Sequence, residues 1–431
     1  MSERRDVRIE VPVLARVEGE GALELELRQG AIHSLNLRIY EPPRLFEKFL
    51  EGRAWHEVPD MVARICGICP VAYQMSAVQA LESIFAIEPG PWVRTLRRVM
   101  YCGEWIQSHA LHIHLLAAPD FLGFNSAVAM AEQYPDEVRR GMQLQSLGNR
   151  LIALLGGRSV HPVGVCVGGF HHAPNVAEVQ ALLPDLTNGI AQAEALVRWC
   201  ATLPLPDDEQ DFVSVALRHD SEYPMIGHRL ISSTGLDIAI AEFEQHFTEH
   251  QSPHSTALHA TLEGKPYLVG PLARLNLNAD RLPAPTRALL DALPVRFPSR
   301  NMFHSALARA LEIHAALVEA TALLQNYRVD TPALEVTPRA GTGYGCSEAP
   351  RGILWHRYDV NDAGNVSRAV IVPPTSQNQG RIEEDLRCSL ESYGLEHSDD
   401  ELRLRGEMVI RNYDPCISCS THFLRMQVRR T

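Results

Sequence analysis

The sequence predicts an α+β fold that is mainly α: a bundle of long helices as the core, a small N-terminal antiparallel sheet and a peripheral insert of mixed structure. Three observations lead there. Apolar residues recur at helical spacing over residues 92–116, 130–155, 176–202 and 303–327. The first 40 residues alternate apolar and polar side chains with period two. Residues 205–297 lose both patterns and carry Pro, His and short strand-like pieces such as 265–272.

Taken in order, residues 8–13 are short and mostly apolar. Ala22-Leu23-Glu24-Leu25-Glu26-Leu27 alternates, Gln29-Gly30 supplies a turn, and Ile32, Leu35, Leu37 and Ile39 continue on the next strand. This is a small sheet with one wet face. Residues 43–50 read as a short helix closed by Gly52, and 71–85 as an amphipathic one. The long helix over 92–116 should stop at Ala118-Pro119, and that over 130–155 at Gly156-Gly157. Gly-rich loops and strand-like runs fill 335–375, ending in Ala369-Val370-Ile371-Val372 before Pro373-Pro374. Residues 379–392 read as the last helix, ahead of a final strand and a tail. The chain is one large domain. Its regions are an N-terminal β part (1–42), a helical core (43–204), the mixed insert (205–297) and a helix-and-loop part (298–422), with 423–431 as a tail.

Composition excludes several functions. The 431 residues are 45% apolar and 21% charged, with a formal net charge of −12. Phosphate binding needs a basic face, so nucleic acid is not expected as a partner. No apolar run reaches membrane-spanning length, and the N-terminus has no signal-peptide pattern. A cytoplasmic location is the expectation. The nine cysteines are an odd number in a long chain, which argues against a disulfide framework.

Two cysteine pairs stand out. Arg64-Ile65-Cys66-Gly67-Ile68-Cys69-Pro70 carries one Cys-x-x-Cys, and Asp414-Pro415-Cys416-Ile417-Ser418-Cys419-Ser420-Thr421-His422 carries another. Each can grip one ion with two thiolates. The pairs lie near opposite ends of the chain and share a site only if the fold joins those ends. From the pairs alone, a structural four-cysteine zinc site is the first reading. Structural zinc usually staples small modules, however, and this chain has ample core without it. Soft thiolates also suit nickel and iron. The other five cysteines, Cys346 among them, read as structural.

Arg-Ile-Cys-Gly-Ile-Cys together with Asp-Pro-Cys-x-x-Cys-x-x-His resembles the paired signatures of nickel–iron hydrogenase large subunits. Four further stretches agree: Arg16-Val17-Glu18-Gly19; Gly157-Arg158-Ser159-Val160-His161-Pro162 with Gly168-Gly169-Phe170; Glu348-Ala349-Pro350-Arg351-Gly352; and Val370-Ile371-Val372-Pro373. The resemblance covers nearly the whole chain and implies the large-subunit fold of that family. It also implies roles. Cys66 and Cys416 would be terminal nickel ligands, and Cys69 and Cys419 would bridge nickel to an iron carrying carbon monoxide and cyanide. Glu47, a backbone carbonyl near Val370, and His422 would share a second site for magnesium or iron. Glu18 matches the proton-relay glutamate. Arg351 would hang over the iron-side cavity, with Pro350 and Gly352 holding its loop, and would bind the cyanides or act as a base. Asp120 and Asp414 would flank it, and Thr375 would line the cofactor.

The resemblance also implies partners. No Gly-rich dinucleotide fingerprint opens a βαβ unit here, and no further multi-cysteine run could hold iron–sulfur clusters. Electrons would leave through an iron–sulfur small subunit, then through flavin and NAD(P)-binding diaphorase subunits. The nearest branch is the cofactor-coupled one, some members of which reduce sulfur. A maturation endopeptidase would remove residues 423–431 after nickel insertion. One position departs from the pattern: Tyr73 stands where many members have His. Alongside are blander readings. Glu18 and Glu47 could be solvated charges, Asp120 a helix cap, and Arg351 an ion-pair member. His109, His112 and His114 read as core network, and His161, His171 and His172 as loop or contact residues. Three rivals make different predictions: a quinone-reductase-like scaffold would lack the four cysteines, a zinc protein would leave Glu18 and Arg351 without function, and a hydrogen-sensing hydrogenase would keep the ligands but change the output.

Overall fold

The computed structural model describes residues 6–421. Strands β1 (Val7–Val11), β2 (Gly21–Arg28) and β3 (Ala31–Ile39) form an antiparallel sheet in that order. Leu23, Leu25 and Leu27 are buried while Glu24 and Glu26 stay partly exposed, as the alternation requires. After α1 (Phe46–Leu50) comes α2 (Pro70–Phe85), which starts directly behind Cys69 with proline at its first position.

The long helix α3 (Pro91–Leu111) does not stop at Ala118-Pro119. It widens into a π-helical stretch, His112–Ala117, and resumes as Ala118–Phe121. Pro119 falls in the first turn of the resumed helix, where its missing N–H costs little. The single helix expected over 130–155 is two, Ala127–Gln133 and α4 (Pro135–Gly156). Tyr134 separates them at φ −124° and ψ 54°, because the residue before a proline is pushed out of the helical region. Next is α5 (Val176–Cys200), capped by Asn175.

The peripheral segment holds a three-stranded sheet and a hairpin, β4 (Phe247–Gln251) with β5 (Leu258–Leu262). The strand-like run at 265–272 pairs only in isolated bridges, and its end enters the helix Pro271–Asn278. Helix α6 (Ser305–Leu324) closes a four-helix core in which α3 packs on α4, α4 on α5, α5 on α6 and α6 on α3.

Three antiparallel strands follow: β6 (Gly341–Ala349), β7 (Gly352–Val360) and β8 (Val366–Val372). The glycines of β6 do not mark a loop. A Cβ at Gly343 or Gly345 would sit 2.1 or 1.9 Å from the carbonyl oxygens of Ala80 and Ser76, so they let the strand lie flat on α2. Helix α7 starts at Pro374, ahead of the expected 379, and runs to Tyr393. The expected final strand is instead α8 (Asp399–Tyr413), opened by a reciprocal cap between Ser398 and Glu401. A single turn, α9 (Ile417–Ser420), ends the described chain. One large apolar core contains Cys66, Cys69, Cys416 and Cys419. Among the described residues, no helix is long and apolar enough to cross a membrane.

Candidate metal centre

The fold brings the two ends of the chain together. Cys66 and Cys69 lie on the turn that feeds α2, and Cys416 and Cys419 flank α9. Their four sulfurs lie within 4.8 Å of one another. The Sγ separations are 3.4 Å for Cys66–Cys416, 3.9 Å for Cys69–Cys419 and 2.7 Å for Cys416–Cys419. None of the four is more than 4% exposed. The Cys66 sulfur accepts the amide hydrogens of Ile68 and Cys69 at 3.3 and 3.4 Å. Contacts from the Cys416, Cys419 and Cys69 sulfurs hold the Cys66 thiol well below its ordinary range, against the opposing effect of burial. Burial pushes the Cys416 thiol up. The four thiols therefore titrate as one coupled group.

Arg351 sits at the tip of the β6–β7 hairpin, in the two-residue connection between Ala349 and Gly352. It is 3% exposed. Its Nε donates to the Asp414 carbonyl at 2.5 Å and its Nη2 to Asp414 Oδ1 at 2.9 Å. Nη1 has no hydrogen-bond partner among the described residues. Burial works against its charge, but Asp414 and the sulfurs of Cys416, Cys69 and Cys66 outweigh it, so Arg351 stays cationic. Burial raises the Asp414 carboxyl, with Arg351 and Arg309 opposing.

The N-terminal segment reaches the same place. Glu18 forms a parallel bridge with Cys416. Its carbonyl accepts the Ile417 amide at 3.1 Å, and its Oε2 accepts the Ser418 amide at 3.1 Å. The carboxylate thus sits on the free amides of α9. Gly19, at φ +89°, makes the approach possible: a Cβ there would lie 2.6 Å from Ile417 Cβ. Four soft donors, buried and clamped beside a cation, suit a thiolate-ligated metal of the nickel and iron kind.

A family model described as nickel-dependent hydrogenase matches residues 44–142 and 240–422. The chain belongs to this family. It is the metal-bearing, catalytic subunit of a nickel–iron hydrogenase. It is 33% identical to sulfhydrogenase 1 subunit alpha of Pyrococcus furiosus, covering 97% of this chain and 98% of that one. It is 32% identical to sulfhydrogenase 2 subunit alpha of the same organism, covering 97% and 100%. The solved structure of an NAD+-reducing NiFe hydrogenase in the H2-reduced state superposes with a TM-score of 0.88 at 27% identity, covering 96% of this chain and 99% of that one. The mainly α fold read from the sequence is that of the hydrogenase large subunit.

The remaining expected hydrogenase residues fall into four groups. Thr375 and Pro350 reach the centre's surroundings: Thr375 Oγ1 accepts the Cys416 amide at 3.0 Å, and the Pro350 carbonyl accepts from Arg274 Nη2 at 3.1 Å. Glu47 lies by β8, where its Oε1 accepts the Ile371 amide at 2.7 Å, and it lines one cleft with Val370. His422 lies outside the described residues, as do 423–431. Asp120 is placed differently from Asp414. It pairs with Arg16 and Arg411, which pin the segment leading to Glu18, whereas Asp414 pairs with Arg351.

Tyr73 is buried one turn into α2 with its hydroxyl unpartnered among the described residues. Burial, then the charges of Cys419 and Cys69, raise its pKa, which keeps it a hydrogen-bond donor. His109, His112 and His114 bond Glu312, the Arg411 carbonyl and the Ala110 carbonyl. Burial lowers all three pKa values, to about 4 for His109 and His114, so they are neutral network residues.

Sequence reasoning passed over three supports. Glu104 on α3 accepts the amides of Val71 and Ala72 at 2.6 and 3.0 Å, holding the start of α2 behind Cys69. Gln107, one turn on, donates to the Ile68 carbonyl at 2.6 Å. Arg44 Nη2 donates to the carbonyls of Ile65 and Ser418, tying one cysteine turn to the other. Glu104 left one signal: a lone carboxylate on the apolar face of a long helix.

Proposed function

We propose that Cys66, Cys69, Cys416 and Cys419 would hold a nickel–iron centre, Cys66 and Cys416 as ligands to nickel alone and Cys69 and Cys419 as ligands shared with iron. The observation that carries this is the convergence of four buried sulfurs from opposite ends of the chain beside the buried Arg351–Asp414 pair. Carbon monoxide and cyanide on the iron would complete the centre, and Arg351 Nη1 is the free donor suited to a cyanide nitrogen.

Bound there, the metal pair would polarise dihydrogen and accept its two electrons. The protein supplies proton handling and exclusion of water. The Cys416 sulfur would accept the two protons released, one after the other. Thr375, bonded to the Cys416 amide, fixes the backbone that aims that sulfur. Glu18, bridged to Cys416 and seated on the α9 amides, receives each proton next and carries it outward. Arg351 works as a fixed cation and donor rather than as a base, because Asp414 and the sulfurs hold its proton. The surrounding core keeps the local dielectric low, which strengthens each of these interactions.

Glu47 and the Val370 carbonyl would help hold a second ion, magnesium or iron, with His422 as the further ligand that the resemblance implies; Glu47 and Val370 share one cleft, in keeping with that role. Electrons pass to an iron–sulfur small subunit and on to diaphorase subunits that reduce NAD or NADP, in line with the NAD+-reducing relative of the same fold. Sulfur reduction fits the likeness to the sulfhydrogenases. A maturation endopeptidase removes 423–431, and the enzyme works in the cytoplasm. The test is infrared spectroscopy on the complex from its native host, with nickel and iron quantified. Iron-bound carbon monoxide and cyanide bands beside nickel are expected. A blank window with zinc alone would overturn the assignment.

A further inference from the structure

A second cluster of ligand-type side chains lies on the peripheral hairpin. His254 sits in the β4–β5 connection, His259 on β5 opposite His250, and Glu383 on α7. One donor atom from each of His254, His259 and Glu383 lies within 4.8 Å of the others. His254 Nε2 is 2.7 Å from Glu383 Oε1, and its Nδ1 is 3.0 Å from the Ser252 hydroxyl. The Glu383 Oε1 also accepts the Leu37 amide at 3.0 Å. His259 is 4% exposed, yet its Nε2 has no hydrogen-bond partner among the described residues. Burying such a nitrogen unpaired is unfavourable. Its ring stands edge-on to His254, with centroids 5.6 Å apart.

We propose that His254, His259 and Glu383 bind a divalent first-row cation of the zinc class, separate from the hydrogenase centre. Two imidazoles and one carboxylate suit zinc better than magnesium or calcium, which take oxygen-rich shells. Water fills the fourth position. Bonds of about 2.0–2.1 Å set the donors of a tetrahedral zinc about 3.3 Å apart, so the ion would open the His254–Glu383 pair from its present 2.7 Å, with His259 already within 4.8 Å of both. The supports are already placed: Ser252 orients the His254 ring and the Leu37 amide holds Glu383. Burial, with His254 and His250 adding to it, holds the His259 pKa down at about 4, so its imidazole is neutral and its lone pair available. The side chains of His254 and Glu383 are 23% and 21% exposed, which leaves a route in from solvent. A bound ion would take the place of the present His254–Glu383 hydrogen bond. The ion would clip the hairpin to α7, the helix that carries Thr375 to Cys416.

The test uses the nickel-loaded complex, purified without a polyhistidine tag, stripped by chelator dialysis and exposed to micromolar zinc chloride. One zinc per large subunit is expected beyond the nickel and iron. Zinc-edge absorption should show nitrogen and oxygen near 2.0–2.1 Å and no sulfur near 2.3 Å. His259→Ala, and separately Glu383→Gln, should lower zinc affinity at least tenfold with nickel content unchanged. Glu383→Gln on its partly exposed side chain decides the matter if His259→Ala fails to load nickel. No retained zinc, zinc bound through sulfur, or equal binding by wild type and Glu383→Gln would each overturn the proposal.

Discussion

Arg351→Met should destabilise the enzyme far more than its loss of contacts suggests, and Asp414→Asn should rescue part of that loss. The pair is buried, with side-chain exposures of 2% and 3%, and is joined by two charge-assisted bonds. Truncating one member of such a pair costs about 3–5 kcal/mol, because the partner stays buried without its counter-charge. Removing Arg351 strands Asp414, whose carboxyl burial already pushes up. Removing the Asp414 charge leaves Arg351 and neighbouring Arg309 as two buried cations; burial already lowers the Arg309 pKa to about 10. The double variant is free of the stranded carboxylate, so the singles should not add. A coupling of about 2–3 kcal/mol is expected. Urea unfolding of the complex reads it: with a slope of about 3 kcal/mol per molar, each single variant shifts the midpoint by roughly 1–1.7 M. A double-variant shift equal to the sum of the single shifts would refute the reasoning, since it would mean that Arg351 and Asp414 do not act as a pair.

Glu18→Gln keeps the volume and an acceptor for the Ser418 amide but cannot carry a proton. Hydrogen uptake should fall about 10²–10⁴-fold at unchanged nickel content; loss of nickel instead would make Glu18 structural. Glu104→Ala orphans the amides of Val71 and Ala72, at about 1–3 kcal/mol each, and should lower nickel occupancy. Metal analysis checks this, with full occupancy counting against it. Burial raises the Glu348 pKa from 4.5 to about 7, against the opposing charge of Arg274. A carboxyl raised on folding stabilises below its unfolded pKa, so this contribution, up to about 3 kcal/mol, is lost as pH rises from 4.5 through 7. Glu348→Gln should flatten the unfolding midpoint across that window; an unchanged pH slope would count against the assignment.

Periodicity served well where one face is wet. The strands at 21–28 and 31–39 and the four core helices were legible because their patterns repeat over many residues. It failed where tertiary contact overrode local preference. Gly343 and Gly345 look like loop residues, yet they form a strand because α2 presses on them. The helix Asp399–Tyr413 was missed although Ser398 and Glu401 spell a cap, since its charged surface hides the apolar stripe. The continuation of α3 through His112–Ala117 was unreadable, because a π-helical stretch has no residue-type signature of its own.

The sequence by itself determined the donor type at this centre. Thiolates are the softest donors a chain owns, and two Cys-x-x-Cys turns admit zinc as well as nickel and iron; the resemblance to the hydrogenase signatures separates them. What only the tertiary structure decided is how those donors meet and which charges face them. Cys66 and Cys416 touch because α3 props one turn through Glu104 and Gln107, while Arg44 ties it to the other. Asp414 takes Arg351 while Asp120 goes to Arg16 and Arg411. Such pairings are set by long-range packing between residues hundreds of positions apart. Local spacing carries no record of them, because their geometry exists only once the helices between them have packed.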